Sequence, residues 1–165
     1  MGGGTGEGAR GRLQTGPGPL RFGGLMQSLR EGDVVVVTLG PGEEIVASLL
    51  EAAAAHNIKG GCLMGLGSTS EVEISFFDPA KKEYVPRVFK EPMEIGAMVG
   101  NFSRIEGEPH VHVHITVSGP ELLAFTGHLA RGVVGTACEI YIRTIPRTIE
   151  RFRDPEAGFN PLKLA

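Results

Sequence analysis

The sequence predicts an α+β fold, a compact single domain with one main helix packed on a mostly antiparallel sheet. Short apolar or alternating segments follow one another at hairpin spacing from Val72 to Arg143, as antiparallel strands do. A single stretch, Ile45, Val46, Leu49, Leu50 and Ala53, has the spacing of a helix face. With 165 residues, 41% of them hydrophobic, the chain is long enough for one packed core, and no apolar run is long enough to span a membrane.

The elements are read in order. Val34 to Leu39 is a β-branched run and predicts a buried strand. Gly40-Pro41-Gly42-Glu43-Glu44 then opens the helix, with proline and acids in its first turn. The helix stops near His56-Asn57, where asparagine can take the left-handed conformation, so His56 reads as a helix-end cation. A further apolar stretch runs from Ile58 to Leu66. Gly65-Leu66-Gly67-Ser68 lacks the Gly-Lys-Ser/Thr of a phosphate loop and predicts a tight turn between strands. Strands are expected at Val72–Phe77, Tyr84–Val88, Met93–Asn101, His110–Ser118, Leu122–Leu129 and Val134–Arg143. From Thr144 on, a polar tail or short helix should lie over the surface.

Ten of the 25 glycines fall within residues 1–24, which predicts a disordered Gly-rich tail over 1–25 and a folded domain over 26–165. Cys62 and Cys138 lie in separate apolar segments without a CxxC pair, so they read as buried thiols of a reducing compartment, and a cytoplasmic location is expected. Charge is uneven. Residues 1–30 carry four arginines against Glu7, and from Arg143 onward five basic residues face three acidic ones. That leaves 7 basic against 15 acidic residues in 31–142, a net charge of −8 on the body of the domain. An acidic body repels phosphate backbones, so nucleic-acid binding would fall to the tails or to a partner. Gly8-Ala9-Arg10-Gly11-Arg12 has the Arg-Gly-Arg of a minor-groove hook, but Leu13 stands where the hook requires proline.

Residues 108–129 hold four of the five histidines. In a strand, Val111, Val113, Ile115 and Val117 would face the core, with His110, His112, His114, Thr116 and Ser118 on the other face. Neighbouring histidines then lie about 6.6 Å apart along the strand, close enough to share a cation, while the outer pair at about 13 Å cannot. His128 returns on what should be the adjacent strand after a turn at Ser118-Gly119-Pro120-Glu121, and two histidines of one strand plus His128 make a tri-histidine site. Imidazole-only ligation suits zinc, with nickel, copper or iron as alternatives, and binding should weaken as pH falls through about 6.5. The alternative is a row of solvated imidazoles.

Further residues carry a family resemblance: Gly42-Glu43-Glu44-Ile45, Phe76-Phe77-Asp78, Glu94 with Gly100-Asn101, His112-Val113-His114, Gly127-His128-Leu129, Glu139-Ile140-Tyr141-Ile142 and Asp154-Pro155-Glu156-Ala157-Gly158-Phe159. With these the chain resembles the PPC domain (plants and prokaryotes conserved), from Gly32 to Leu164, about four-fifths of its length. The likeness is to the stand-alone prokaryotic members, often described as DNA-binding with a PD1-like motif. The resemblance implies a homotrimer of compact α+β subunits and a metal, usually taken as zinc, held by His112, His114 and His128. His110 lies outside the motif, and Thr126 replaces the first glycine of the usual Gly-Gly-His-Leu.

Three functions are compatible with this reading. The first is a metal-binding trimeric module that holds a small ligand or partner. The second is a DNA-associated regulator, and the third a zinc-dependent enzyme on a small molecule, for which Glu94 or Glu139 would be the base.

Overall fold

A computed structural model describes Met1 and residues 26–164; the expectation of a disordered tail over residues 1–25 lies, Met1 apart, outside the described residues. The elements in chain order are β1 (Gln27–Glu31), β2 (Val34–Leu39), α1 (Ile45–Ala55), β3 (Gly61–Asp78), β4 (Glu83–Phe89), β5 (Met93–Ile105), β6 (Glu108–Ser118), β7 (Ala124–Thr144), β8 (Glu150–Arg151) and β9 (Leu162–Lys163). The sheet runs β1-β2-β7-β3-β5-β8-β9, with β4 on β3 and β6 joined to both β5 and β7. Among the described residues only the β5–β8 strand pairing is parallel. The pairings β3–β5, β5–β6, β6–β7 and β7–β3 close a ring, which leaves none of these four strands with two free edges.

Inward-facing residues fill the ring. Val111, Val113, Ile115 and Val117 of β6 are all buried, as their alternation predicts, and meet Met98, Ile95, Leu129, Ile140 and Val72 in one core. Helix α1 packs against β7, β6 and β2 through buried Ile45, Leu49, Ala52 and Ala53, with Val46 and Leu50 partly buried at the margin. Among the described residues no helix is long and apolar enough to cross a membrane.

Several boundaries differ from expectation. The helix begins at Ile45, and its first turn holds no acid; Glu44 is the N-cap. Its carboxylate accepts from Val46 N, from Ala47 N at 2.7 Å and from Gly132 N at 3.0 Å, tying the helix to β7. At the other end Asn57 has φ +49°, as the left-handed stop requires, and the His56 ring contacts Ser28 Oγ at 2.8 Å. Gly65 to Ser68 is no turn: β3 passes straight through it with a register shift between Gly65 and Gly67, because β5 and β7 pair with it on both sides. Likewise Leu122–Leu129 and Val134–Arg143 belong largely to one 21-residue strand, β7, whose two halves serve different neighbours. The segment after Thr144 is neither plain tail nor helix, since Arg104 and Ile105 of β5 recruit it as β8. Cys62 is exposed rather than buried; Cys138 is buried, and both thiols are free.

Candidate metal centre

Strand β6 presents His110, His112 and His114 on its outer face, while β7 sets His128 directly opposite His114 in the ladder. Two close backbone approaches fix this arrangement. A Cβ on Gly100 would abut the carbonyl oxygen of His112, and one on Gly127 would lie 2.8 Å from the carbonyl of Ser75. Glycine at these positions lets β5 and β3 close on the histidine-bearing strands. Next along the outer face, the Thr116 hydroxyl donates to Thr126 at 3.2 Å, so Thr126 supports the β6–β7 pairing where the family pattern has glycine.

His112, His114 and His128 converge, with one potential ligand nitrogen from each lying within 4.8 Å of the others. The ring centroids are 5.2 Å apart for His112–His114, 5.0 Å for His112–His128 and 5.9 Å for His114–His128. His110 is not part of the cluster; it faces the cleft beside it. Zinc–nitrogen bonds of about 2.0–2.1 Å draw donor atoms closer than that outer limit, so small rotations of the three rings would bring them to common coordination.

Burial and neighbouring positive charge favour the neutral form of His110, His112 and His128. The His112 pKa falls from 6.5 to about 4, mainly by burial, then by the positive charge that His128, Arg151, His114 and His110 would each present. Burial also lowers His128, with His114 and Arg151 adding to it, and lowers His110, with Arg151 and His128 adding. Neutral imidazole is the form that ligates a metal. Proton competition is thereby moved below the unperturbed 6.5 expected from sequence. His128 Nδ1 is buried and has no hydrogen-bond partner, a state that costs about 1–3 kcal/mol unless something binds there. The residues therefore fit a soft-to-borderline divalent cation.

A cleft of about 470 Å³ opens beside the triad, lined by His110, His112 and His128 on one side and by Arg151, Phe159 and Asn160 of the C-terminal segment on the other. Tyr84 packs on His128 with centroids 4.9 Å apart, and Phe77 joins Tyr84 to Phe159, forming an aromatic wall. Arg151 reaches back to β5: Nε donates to Ser103 Oγ at 3.0 Å and a terminal nitrogen donates to Asn101 Oδ1 at 2.9 Å. The other terminal nitrogen donates to the Asn160 carbonyl at 2.6 Å, and His112 Nδ1 lies 3.4 Å from the guanidinium.

Sequence reasoning missed Arg151, Tyr84 and Asn160; the one available signal was the Asp154-to-Phe159 stretch, already part of the family resemblance. Glu94 and Glu139 are not at this site. Glu94 pairs with Ser68 and Ser118 at the far end of β6 and lines a different cleft, and Glu139 pairs with Thr38 and Leu66. The cleft lining does contain the carboxylate of Asp154, which accepts from the backbone N–H groups of Glu156 and Ala157 at 3.0 Å.

Solved structures share this fold. A candidate DNA-binding protein of Bacteroides thetaiotaomicron superposes with a TM-score of 0.81 at 28% identity, over 85% of this chain and 98% of its own. A candidate DNA-binding protein of Ralstonia eutropha gives 0.77 at 29% identity, over 84% and 96%. A metal-containing protein of Archaeoglobus fulgidus gives 0.74 at 26% identity, over 81% and 94%. No curated protein sequence matches the chain. The profile of the Plants and Prokaryotes Conserved domain matches residues 26–146, and with the closed antiparallel sheet and its helix this settles the assignment: the chain belongs to the Plants and Prokaryotes Conserved domain family.

Proposed function

We propose that this chain is a cytoplasmic, homotrimeric metal-binding module in which His112, His114 and His128 hold one zinc ion per subunit, next to a cleft that receives a small molecule. The observation that carries the reading is the convergence of three imidazoles, with one potential ligand nitrogen from each within 4.8 Å of the others. The metal-containing relative from Archaeoglobus fulgidus supports it. Three histidines leave zinc an open position, and a bound ion would polarise a ligand or lower the pKa of a bound water to about 7. Self-association is supported by an apolar outer face: Met64 pairs with both Val99 and Tyr141, Leu66 lies beside them, and each is at least 52% exposed. Such contiguous apolar surface marks an interface.

A metal-dependent enzyme is the second reading, favoured by the carboxylate of Asp154 in the lining of a cleft beside the triad. DNA association, which the names of two structural relatives suggest, is opposed by the net −8 on residues 31–142.

Elemental analysis with native mass spectrometry of the purified full chain tests the proposal. Three chains of 17.5 kDa carrying three zinc ions are expected. A metal-free protein from zinc-supplemented cells, or a monomer in light scattering at micromolar concentration, would refute the corresponding half.

A further inference from the structure

Of the described arginines that make no ion pair, Arg30, Arg87, Arg104, Arg147 and Arg151, only Arg151 lines the cleft beside the triad. Arg131, Arg143 and Arg153 each pair with a carboxylate, Glu71, Asp33 and Glu106 respectively. Arg151 forms no ion pair among the described residues; its acceptors are a serine hydroxyl, an asparagine side-chain oxygen and a backbone carbonyl, all neutral. It is nonetheless half-buried and held from three directions, so its orientation is fixed before any ligand arrives. A guanidinium has five N–H donors, and three direct bonds plus the 3.4 Å contact to His112 Nδ1 leave one over. A fixed, partly desolvated cation with a spare donor and no counter-charge is an anion site waiting for its anion.

The surroundings define what kind of anion. His112 and His128 line the same cleft, so a group held by Arg151 would lie next to the triad. The cleft, at about 470 Å³, is within the range of small-molecule sites. Tyr84 and Phe159 contribute aromatic surface to the lining. Asp154 is the acid in the lining, and its Oδ1 already serves two backbone amides of its own turn, which limits its competition for Arg151.

We propose that this cleft binds a compact organic carboxylate, with Arg151 gripping the carboxylate beside the histidine triad and Tyr84 and Phe159 packing on the apolar body. The proposal rests on the metal-site reading for what occupies the triad, and it assigns the ligand class of that same site.

The test is titration calorimetry of the full chain, in zinc-loaded and chelator-stripped form, with 3-phenyllactate, its neutral amide and inorganic phosphate as probes. Zinc-loaded wild type should bind 3-phenyllactate about tenfold or more tightly than the amide, because the amide offers Arg151 no charge. Arg151→Gln should weaken the acid by a similar factor at unchanged zinc stoichiometry, while Arg131→Gln changes nothing. Arg151 also anchors the C-terminal segment, so a second measurement uses wild type alone. Bound 3-phenyllactate should protect Arg151, and not Arg131, from modification by phenylglyoxal, read by peptide mass spectrometry. Equal affinity for acid and amide, unprotected Arg151, or phosphate binding more tightly than the acid would overturn the assignment. Should the chain hold no zinc, the metal reading fails by elemental analysis, and the carboxylate site then stands or falls on Arg151-dependent binding to the stripped protein.

Discussion

Replacing His112 by alanine separates a metal centre from a solvated row of imidazoles. His112 stands between its two partners, with centroids 5.2 Å from His114 and 5.0 Å from His128, so its loss leaves two imidazoles 5.9 Å apart. Two imidazoles and water seldom hold zinc against a chelator. Zinc at a hundredfold over its dissociation constant would stabilise the wild type by about 2.7 kcal/mol. For a domain of this size, each kcal/mol moves Tm by about 2–4 °C, so zinc should raise the wild-type Tm by about 5–11 °C. Differential scanning calorimetry with zinc and with chelator reads that rise, which should vanish in His112→Ala and survive in His110→Ala. The metal-free protein adds a second signature. Because the folded His112 pKa lies near 4 and the unfolded value near 6.5, the unfolded chain binds more protons between those values. Stability of the stripped wild type should therefore fall as pH drops through 6.5 towards 4 and stay flat above that window, and His112→Ala should reduce the slope. A His112→Ala protein that keeps one zinc per chain, or a His110→Ala protein that loses it, would refute the argument.

Glu44→Ala removes a carboxylate that serves three backbone N–H groups, Val46, Ala47 and Gly132, and should cost about 2 kcal/mol by urea unfolding, more than an ordinary surface substitution. Gly100→Ala puts a methyl against the His112 carbonyl and must spread β5 from β6; zinc occupancy and Tm should fall together, and an unchanged zinc content would show that the backbone approach does not set the site. A fragment lacking residues 1–25 should give no measurable shift of a generic duplex at physiological salt, because its central portion is acidic; sub-micromolar binding would show that a local patch outweighs net charge.

The half of the site carried by β6 and β7 was legible because its cause is local. Alternation from Val111 to Val117 fixes which face of the strand is buried, so the histidine face follows from a period of two. His128 could be placed on the neighbouring strand because a turn sequence separates it from His114, and the observed pairing of the two is that inference made concrete. Strand ends were less legible. Gly65 and Gly67 have the composition of a turn, yet they extend β3, since pairing on both sides outweighs local preference; residues 27–31 carry little apolar signal and become β1 only because β2 offers an edge.

The other half of the site has no local signature at all. Arg151 is separated from Ser103 and Asn101 by 48 and 50 residues, and it is held there by a parallel pairing only two residues long. No periodicity encodes so short a strand, and an arginine in a polar stretch reads as solvated. What places it is the end of β5 beyond Phe102, which β3 leaves unpaired, the acceptors Ser103 and Asn101 that pair with His110 and His112 in the β5–β6 register, and the Asp154 turn that sends the chain back past Asn160. Each of these is weak alone. Together they hold a cation against a cluster of imidazoles that would repel it if protonated, so the arrangement favours neutral imidazoles, and neutral imidazoles are what a metal requires. The C-terminal segment thus does more than cover the triad: its positive charge helps keep His112 and His128 in their binding form.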